Sequence, residues 1–411
     1  MSDKRKLPVG WRLVTLGNSE LVILIMGQSP PGETYNKEKQ GLPFFQGCAD
    51  FGNIYPEPTV WCSAPNRIAE PKDILLSVRA PVGPTNIAKE KCCIGRGIAA
   101  IRCTDSLYYK YLLLVLRNFE KKIASEGAGS IFNAIGKDEI RTINFPLPPT
   151  RNDQIRIATE LEHKMTEVEK MRQAALSQKE AIAAMQGAIL REVFPYKVGD
   201  KLPEGWRWKP LVEICFINPT RKKGFFRELN AQTSFVPMEA VDDLTGRIAK
   251  KITRPYSEIS KGYTSFEDGD VLFAKITPCM QNGKSAIAEN LSDGVGFGST
   301  EFHVLQPKTD VIKEWIYYFV RTSEFRKRAE DHFEGSAGQQ RVSTGFIKNS
   351  LIPIPPTLDD QIAIANELER KMAEIDKLRH AADNQLEAIE ALPGAILREV
   401  FDFEEKIYGL K

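Results

Sequence analysis

Several classes of protein are excluded by what this sequence lacks. Among its 411 residues, no apolar run reaches the roughly 18 needed to cross a bilayer. The longest candidate, residues 14–26, is broken by Gly17, Asn18 and Glu20. The opening Met1-Ser-Asp-Lys-Arg-Lys6 carries charge with no apolar stretch behind it, so a secretory signal is not expected and a cytoplasmic protein is. The seven cysteines (48, 62, 92, 93, 103, 215, 279) contain no CxxC pair. The adjacent Cys92 and Cys93 suit neither a disulfide framework nor a tetrahedral zinc clamp, so reduced, packed thiols are expected. Histidines 163, 303, 332 and 380 show no HExxH or HxH spacing, and no metal site is expected.

A strong charge of one sign is also missing. The net charge is +2, but it is unevenly spread. Residues 1–147 carry +5, residues 148–194 are balanced, residues 195–354 carry +3 and residues 355–411 carry −6. The first and third blocks are compatible with a polyanion partner, although balances of this size also occur on ordinary surfaces.

The chain is a tandem repeat. Leu7-Pro-Val-Gly-Trp11-Arg12 returns as Leu202-Pro-Glu-Gly-Trp206-Arg207, an offset of 195. Pro148-Pro-Thr-Arg-Asn-Asp-Gln154-Ile returns as Pro355-Pro-Thr-Leu-Asp-Asp-Gln361-Ile at an offset of 207. That second match runs without a gap to Gly-Ala-Ile-Leu-Arg-Glu-Val-Phe at 187–194 and 394–401, with 31 identities in 47 positions. The change of offset makes the second variable block 12 residues longer. The boundaries that follow are a first mixed domain at 1–147, a helical segment at 148–195, a second mixed domain at 196–354 and a second helical segment at 355–411.

Each duplicated segment predicts one long helix. Thr150 and Thr357 stand as N-caps, with Asp153 and Asp360 three residues on, and the preceding Pro-Pro stops the helix from extending backwards. Every seventh position is apolar: Leu161, Val168, Ala175, Ile182, Ile189, and then Leu368, Ile375, Ala382, Ile389, Ile396. Companion positions carry Ile157, Lys164, Met171, Gln178 and Met185, matched by Ile364, Lys371, Leu378, Gln385 and Leu392. This is a coiled-coil pattern with polar interruptions at the same places in both copies. Gly187, Gly394 and Pro393 are expected to loosen or kink the last turns. Thr150 to Phe194 would span roughly 65 Å as one helix. The second mixed domain begins where the first helix ends and finishes where the second begins. Antiparallel helices bring those two points together, which predicts a mixed domain at each end of a helical rod.

Both mixed blocks carry short strand patterns and one helical stretch, an α+β composition. Residues 72–79 match 269–277 as strands entered through an aspartate, and residues 97–102 match 300–305. Residues 107–119 and 311–329 predict helices, followed by glycine-rich loops at 126–133 and 334–341. Asn282-Gly-Lys284-Ser285 looks like the tail of a P-loop, but Pro278 stands where the leading glycine belongs. Gly294-Val-Gly296-Phe-Gly298 predicts a turn. Asn218-Pro219-Thr220 lacks a following aromatic to stack an extruded base. No cluster of catalytic carboxylates and lysines stands out, so the chain is not expected to be an enzyme. The polar side chains at strand ends and loops are Arg79, Arg96, Lys137, Lys275, Lys284, Gln339, Gln340 and Arg341. As Arg and Gln offer paired donors and acceptors to guanine and adenine edges, these are the candidate DNA contacts, weighed against plain solvated surface. Arg221-Lys-Lys223 is read as a solvated turn or at most a phosphate contact.

At this point the sequence resembles the DNA-specificity (S) subunit of type I restriction–modification systems. The resemblance is carried by Leu-Pro-x-Gly-Trp at 7–11 and 202–206, by Pro-Leu-Pro-Pro at 146–149 and Pro-Ile-Pro-Pro at 353–356, and by Gln154-Ile and Gln361-Ile. The closing Gly-Ala-Ile-Leu-Arg-Glu-Val-Phe of both helices adds to it, as do Asp73–Gly83, Phe235–Glu239, Phe273–Met280 and Gly296–His303 within the blocks. It covers nearly the whole chain. It implies two target-recognition domains, each reading one half of a bipartite DNA site, with paired helices setting the half-site spacing. It also implies partners: two modification subunits, docked on the helices and carrying S-adenosylmethionine, and restriction subunits with ATP- and Mg-dependent motor and nuclease activity. No cofactor is expected on this chain itself. Pro393, where the first helix has Gln186, is the one noted departure. Two alternatives stand beside this reading. A fused methyltransferase component would need catalytic and cofactor motifs. A coiled-coil scaffold that binds only proteins would have no need for divergent ends.

Overall fold

The computed structural model describes residues 6–125, 134–195, 197–220, 227–250, 252–335 and 340–403. The chain forms two compact units, one built from residues 1–175 and 385–411 and the other from residues 176–384.

In the first unit, the strands Val22–Met26, Ile98–Cys103, Ile74–Ser77 and Thr85–Ile87 form an antiparallel sheet in that spatial order. The strand pairs read from the sequence as matching are its central neighbours, with Ile98 opposite Ser77. A second, five-stranded sheet contains a parallel pair in which Phe44 faces Cys93. Helix α1 (Tyr109–Ser125) covers the first sheet, and α2 (Lys137–Thr142) precedes a strand, Asn144–Leu147, that pairs with Arg12–Thr15. The long helix α3 (Arg151–Val193) follows.

The second unit repeats this plan. Short helices α4 (Leu211–Ile214) and α5 (Tyr256–Ile259) lead to an antiparallel sheet ordered Cys215–Ile217, Phe302–Pro307, Val271–Ala274, Ser285–Ile287. Its second sheet has four strands and again one parallel pair, Gln232–Val236 with Val295–Gly298, so the glycine-rich stretch expected to turn is a paired strand. The helix expected over 311–329 is two helices, α6 (Lys313–Val320) and α7 (Ser323–Glu330). The break lies at Thr322, whose hydroxyl donates to the Phe319 carbonyl at 2.8 Å and accepts from the Phe325 N–H at 3.2 Å, capping α7. Helix α8 (Thr344–Asn349) and the strand Leu351–Ile354 then lead into α9 (Leu358–Phe401).

The motifs shared by the two copies meet one another within each unit. Gly10 and Gly205 adopt positive φ, and a Cβ on either would press on the ring of Pro149 or Pro356 respectively. The buried Gln154 accepts from Tyr108 N at 2.7 Å and donates to Ser106 O at 3.2 Å. Gln361 does the same with Ile312 N at 3.1 Å and Asp310 O at 3.2 Å. Each glutamine thus satisfies backbone groups at the start of α1 or α6 from the first turns of a long helix. Thr150 and Thr357 cap as expected, each accepting from an aspartate N–H at 3.1 Å.

Both long helices are continuous, 43 and 44 residues, and α9 runs through Pro393 without interruption. Helix therefore continues through the last turns at Gly187, Gly394 and Pro393, where loosening or a kink is expected from the sequence. The seam positions Leu161, Val168, Ile182, Leu368, Ile375 and Ile389 are buried, and Ile189 and Ile396 half-buried. Within each unit the two helices run antiparallel. In the first, Leu161 shares a core with Leu397 and Phe401, while Val168 and Ala175 pack with Ile389. In the second, Lys179 pairs with Asp383 at 2.5 Å and Glu192 with Lys371 at 3.2 Å. The mixed helix-and-sheet fold with its duplicated long helices is the one the sequence leads to. Among the described residues no helix is long and apolar enough to cross a membrane.

Candidate nucleic-acid interface

In the second unit, the end of Val271–Ala274 and the residues before α8 lie side by side. Thr277 N donates to Gln340 O at 3.0 Å, Val342 N donates to Lys275 O at 2.8 Å, and Ile276 bridges Arg341. Lys275, Gln340 and Arg341 thus arrive together at one sheet end, each partly exposed. Arg341 is committed to Glu301 through two hydrogen bonds of 2.9 Å. The guanidinium holds the Glu301 carboxyl below the usual carboxylate range. Arg341 therefore presents a fixed, partly neutralised fork rather than a free cation. Gln339, Arg221 and Lys223 lie outside the described residues.

Lys284 closes a turn built from Thr277 to Lys284. The Met280, Asn282 and Lys284 N–H groups donate to the carbonyls of Ile276, Pro278 and Cys279 respectively, at 3.0 Å each. Its ammonium donates to Met238 O at 3.1 Å, so this lysine is also engaged internally. The same turn exposes Asn282, which the sequence reading did not single out. Behind the cluster lie His303 and Asn218. Asn218, at φ 51°, is the first residue of the Asn218-Pro219-Thr220 stretch, whose sequence pattern pointed to no function.

In the first unit the matching ladder carries different side chains. Val78 N donates to Gly97 O, and Ile135 N to Val78 O, both at 2.9 Å, and Arg79 bridges Ala134. This gathers Arg79, Arg96 (in the turn before Ile98–Cys103) and Lys137 (the first residue of α2) around one edge. All three are exposed, and none forms an ion pair with a described residue. The buried Ser77 hydroxyl braces the segment through Arg79 O and Pro81 O at 3.1 and 2.9 Å. The two units hence offer different polar groups on the same frame.

Among the described residues no three His, Cys, Asp or Glu side chains are grouped to hold a metal ion. The cysteines are free, and burial pushes the thiols of Cys92, Cys103 and Cys215 up to about 12, which leaves them unreactive.

The family model of the type I restriction modification DNA specificity domain matches residues 8–178 and 203–388. A Methanocaldococcus jannaschii protein named for the specificity subunit of type I restriction enzyme MjaX is 45% identical over 149 residues, 36% of this chain and 35% of that protein. The Escherichia coli type I restriction enzyme EcoAI specificity subunit is 34% identical over 203 residues, 49% of this chain and 34% of that one. The matched parts thus span about a third of the length of these relatives. A solved chain from a study of complex assembly and conformational transition of the type I R-M system has the same fold, with a TM-score of 0.75 at 20% identity over 96% of this chain and 98% of that one.

Proposed function

Because the chain belongs to the type I restriction–modification DNA specificity family, we propose that it is the DNA-reading subunit of such a complex, with each recognition domain, 1–147 and 196–354, reading one half of a bipartite site. One observation carries this reading. Two units with the same strand order in their four-stranded antiparallel sheet carry unlike polar side chains, Arg79, Arg96 and Lys137 against Lys275, Gln340 and Arg341, at corresponding sheet ends. A duplicated frame with diverged contact groups suits a target whose halves differ.

The long helices support the partner half of the proposal. Contrary to the coiled-coil pattern expected at the companion positions, Met171, Gln178 and Met185 of α3 are exposed, as are Leu378 and Gln385 of α9; Ala174, Ala181, Ala381 and Ala388 beside them are exposed too. A packed seam must stay alike in order to pack, but exposed positions are free to drift. Their near-identity in the two copies therefore favours the same partner meeting each helix, a modification subunit on each. In this account those subunits bring S-adenosylmethionine and methylate DNA, restriction subunits supply ATP-driven translocation and cleavage, and this chain, in the cytoplasm, contributes reading and spacing without catalysis. The test is to co-express the chain with its modification subunit and to sequence methylated bases in the host DNA. A bipartite motif that appears only when the chain is present supports the reading. Methylation that is unchanged by its omission contradicts it.

A further inference from the structure

A buried arginine follows α6 and has no carboxylate of a described residue in ion-pair range. Arg321 is 7% exposed. Its guanidinium donates to Leu244 O at 2.8 Å, Asp243 O at 3.1 Å, Gly283 O at 3.3 Å and Ser285 O at 3.5 Å. It also lies over the ring of Tyr317, whose hydroxyl reaches Thr245 O and Gly246 O at 3.2 and 3.1 Å. A buried cation is costly, and well-packed apolar groups often stabilise as well or better. What a planar fork of donors does uniquely is fix several carbonyls relative to one another. Gly283 and Ser285 flank Lys284, and the Asp243–Leu244 loop follows Met238, whose carbonyl holds the Lys284 ammonium. One side chain therefore ties the Thr277–Lys284 turn, the edge strand Ser285–Ile287 and the loop of the second sheet to α6.

The first unit holds a counterpart. Arg117 stands at the same place in α1, and its guanidinium donates to Asn53 O at 2.5 Å. Asn53 lies in the loop closed by the Phe51–Pro56 bridge, which matches the Val241–Ile248 bridge of the second unit. The recognition blocks have diverged, yet both keep an arginine at this position.

We propose that Arg321 and Arg117 are positioning residues for sequence discrimination, each holding the loops of its own recognition domain in reading register. The proposal rests on the DNA-specificity reading given above. Arg321 touches no base in this account; it acts through the turn carrying Asn282 and Lys284. Gly246 offers an independent handle on the same contact. At φ +64°, a Cβ there would overlap Tyr317 Oη and Arg321 Nη1.

The experiment uses the reconstituted complex with its modification subunits. The bipartite motif is mapped with the wild-type chain, and methylation rates are then compared on duplexes carrying that motif intact or with one base changed in either half. Arg321→Lys is expected to lower discrimination in the half read by the second domain by about fivefold or more, the scale of a lost base contact, and to leave the other half unchanged. Arg117→Lys is expected to do the reverse, and Gly246→Ala to reproduce Arg321→Lys. A merely structural role would lower rates on intact and altered duplexes together, in step with the folded fraction, and leave their ratio unchanged. That result, or wild-type ratios in Arg321→Lys, overturns this proposal alone. A wild-type complex with no bipartite motif overturns the DNA reading and this proposal with it.

Discussion

The side-chain amide of Asn218 donates to Nδ1 of His303 across 3.1 Å, and Nε2 of the same ring donates to the Val342 carbonyl at 2.8 Å. The amide cannot turn over to accept instead, because its oxygen already takes the Val304 N–H at 2.9 Å. Both ring nitrogens are therefore satisfied only in the neutral imidazole. Burial, the largest cause, also pushes the His303 pKa below its ordinary value.

A pH dependence of stability follows. The unfolded chain takes up a proton at this histidine near pH 6.5, and the folded chain does so only at lower pH. The contribution is complete above about pH 6.5 and is lost as the pH falls toward the folded value, at up to about 1.4 kcal/mol per pH unit. Denaturant unfolding between pH 7.5 and 5.5 avoids the carboxylate range. The wild type should lose stability as the pH falls, and His303→Gln should show a flatter slope. Parallel slopes for the two would contradict the assignment.

Gln154 and Gln361 lead to a second prediction. Each is buried and spans the start of a neighbouring helix with two hydrogen bonds, so Gln361→Ala strands the Ile312 N–H and the Asp310 carbonyl. Leaving such groups unpaired costs about 1–3 kcal/mol each where water cannot reach them. Urea titration should show Gln361→Ala destabilised by about 2 kcal/mol or more. The exposed neighbour substitution Ile362→Ala should lie within about 0.5 kcal/mol of wild type.

How legible this was depended on the range of the interaction. Thr150 with Asp153, the heptad through Val168 and Ile182, and the strand pairs entered through Asp73 and Asp270 are local or periodic patterns, and the duplication displayed each of them twice. Gln154 was visible as a repeated letter, but not as the group that caps α1, because its partners at Ser106 and Tyr108 lie far back in the chain. Arg321 recurs in the first block only as the single letter Arg117, outside any repeated motif. Its partners are backbone carbonyls, which every residue has, so no sequence pattern announces them. Residue type alone marks the candidate contacts in the sequence. The structure gathers Lys275, Gln340 and Arg341, yet it also pairs Arg341 with Glu301 and Lys284 with Met238 O, commitments that composition does not reveal.

The exposed stripe on the long helices gives a third prediction. Ala181→Arg in α3 and Ala388→Arg in α9 place bulk and charge on surface positions of good helix propensity, so the melting temperature should hardly move. Co-purification of the modification subunit should fall sharply for either single variant and be abolished for the pair. Full recovery with both substitutions present would remove the stripe as the docking face.

Spacing is the fourth. Seven residues added to α3 and α9 together keep the heptad register and lengthen each helix by about 10 Å, which is about three base pairs of duplex. Methylation sequencing should show both half-sites retained with a longer spacer. A heptad added to one helix alone should abolish specific methylation. An unchanged spacer after the paired insertion would contradict a spacing role for the helices.

The central claim is that two recognition domains on one duplicated frame read two half-sites independently. Its most direct test is to exchange residues 1–147 for the corresponding block of a family member with a different motif, and to sequence the methylated bases produced by the assembled complex. The account predicts a hybrid motif, with one half replaced, the other half identical to wild type and the spacer preserved. If both halves change together, or neither changes, the two domains do not read separately and the account is wrong.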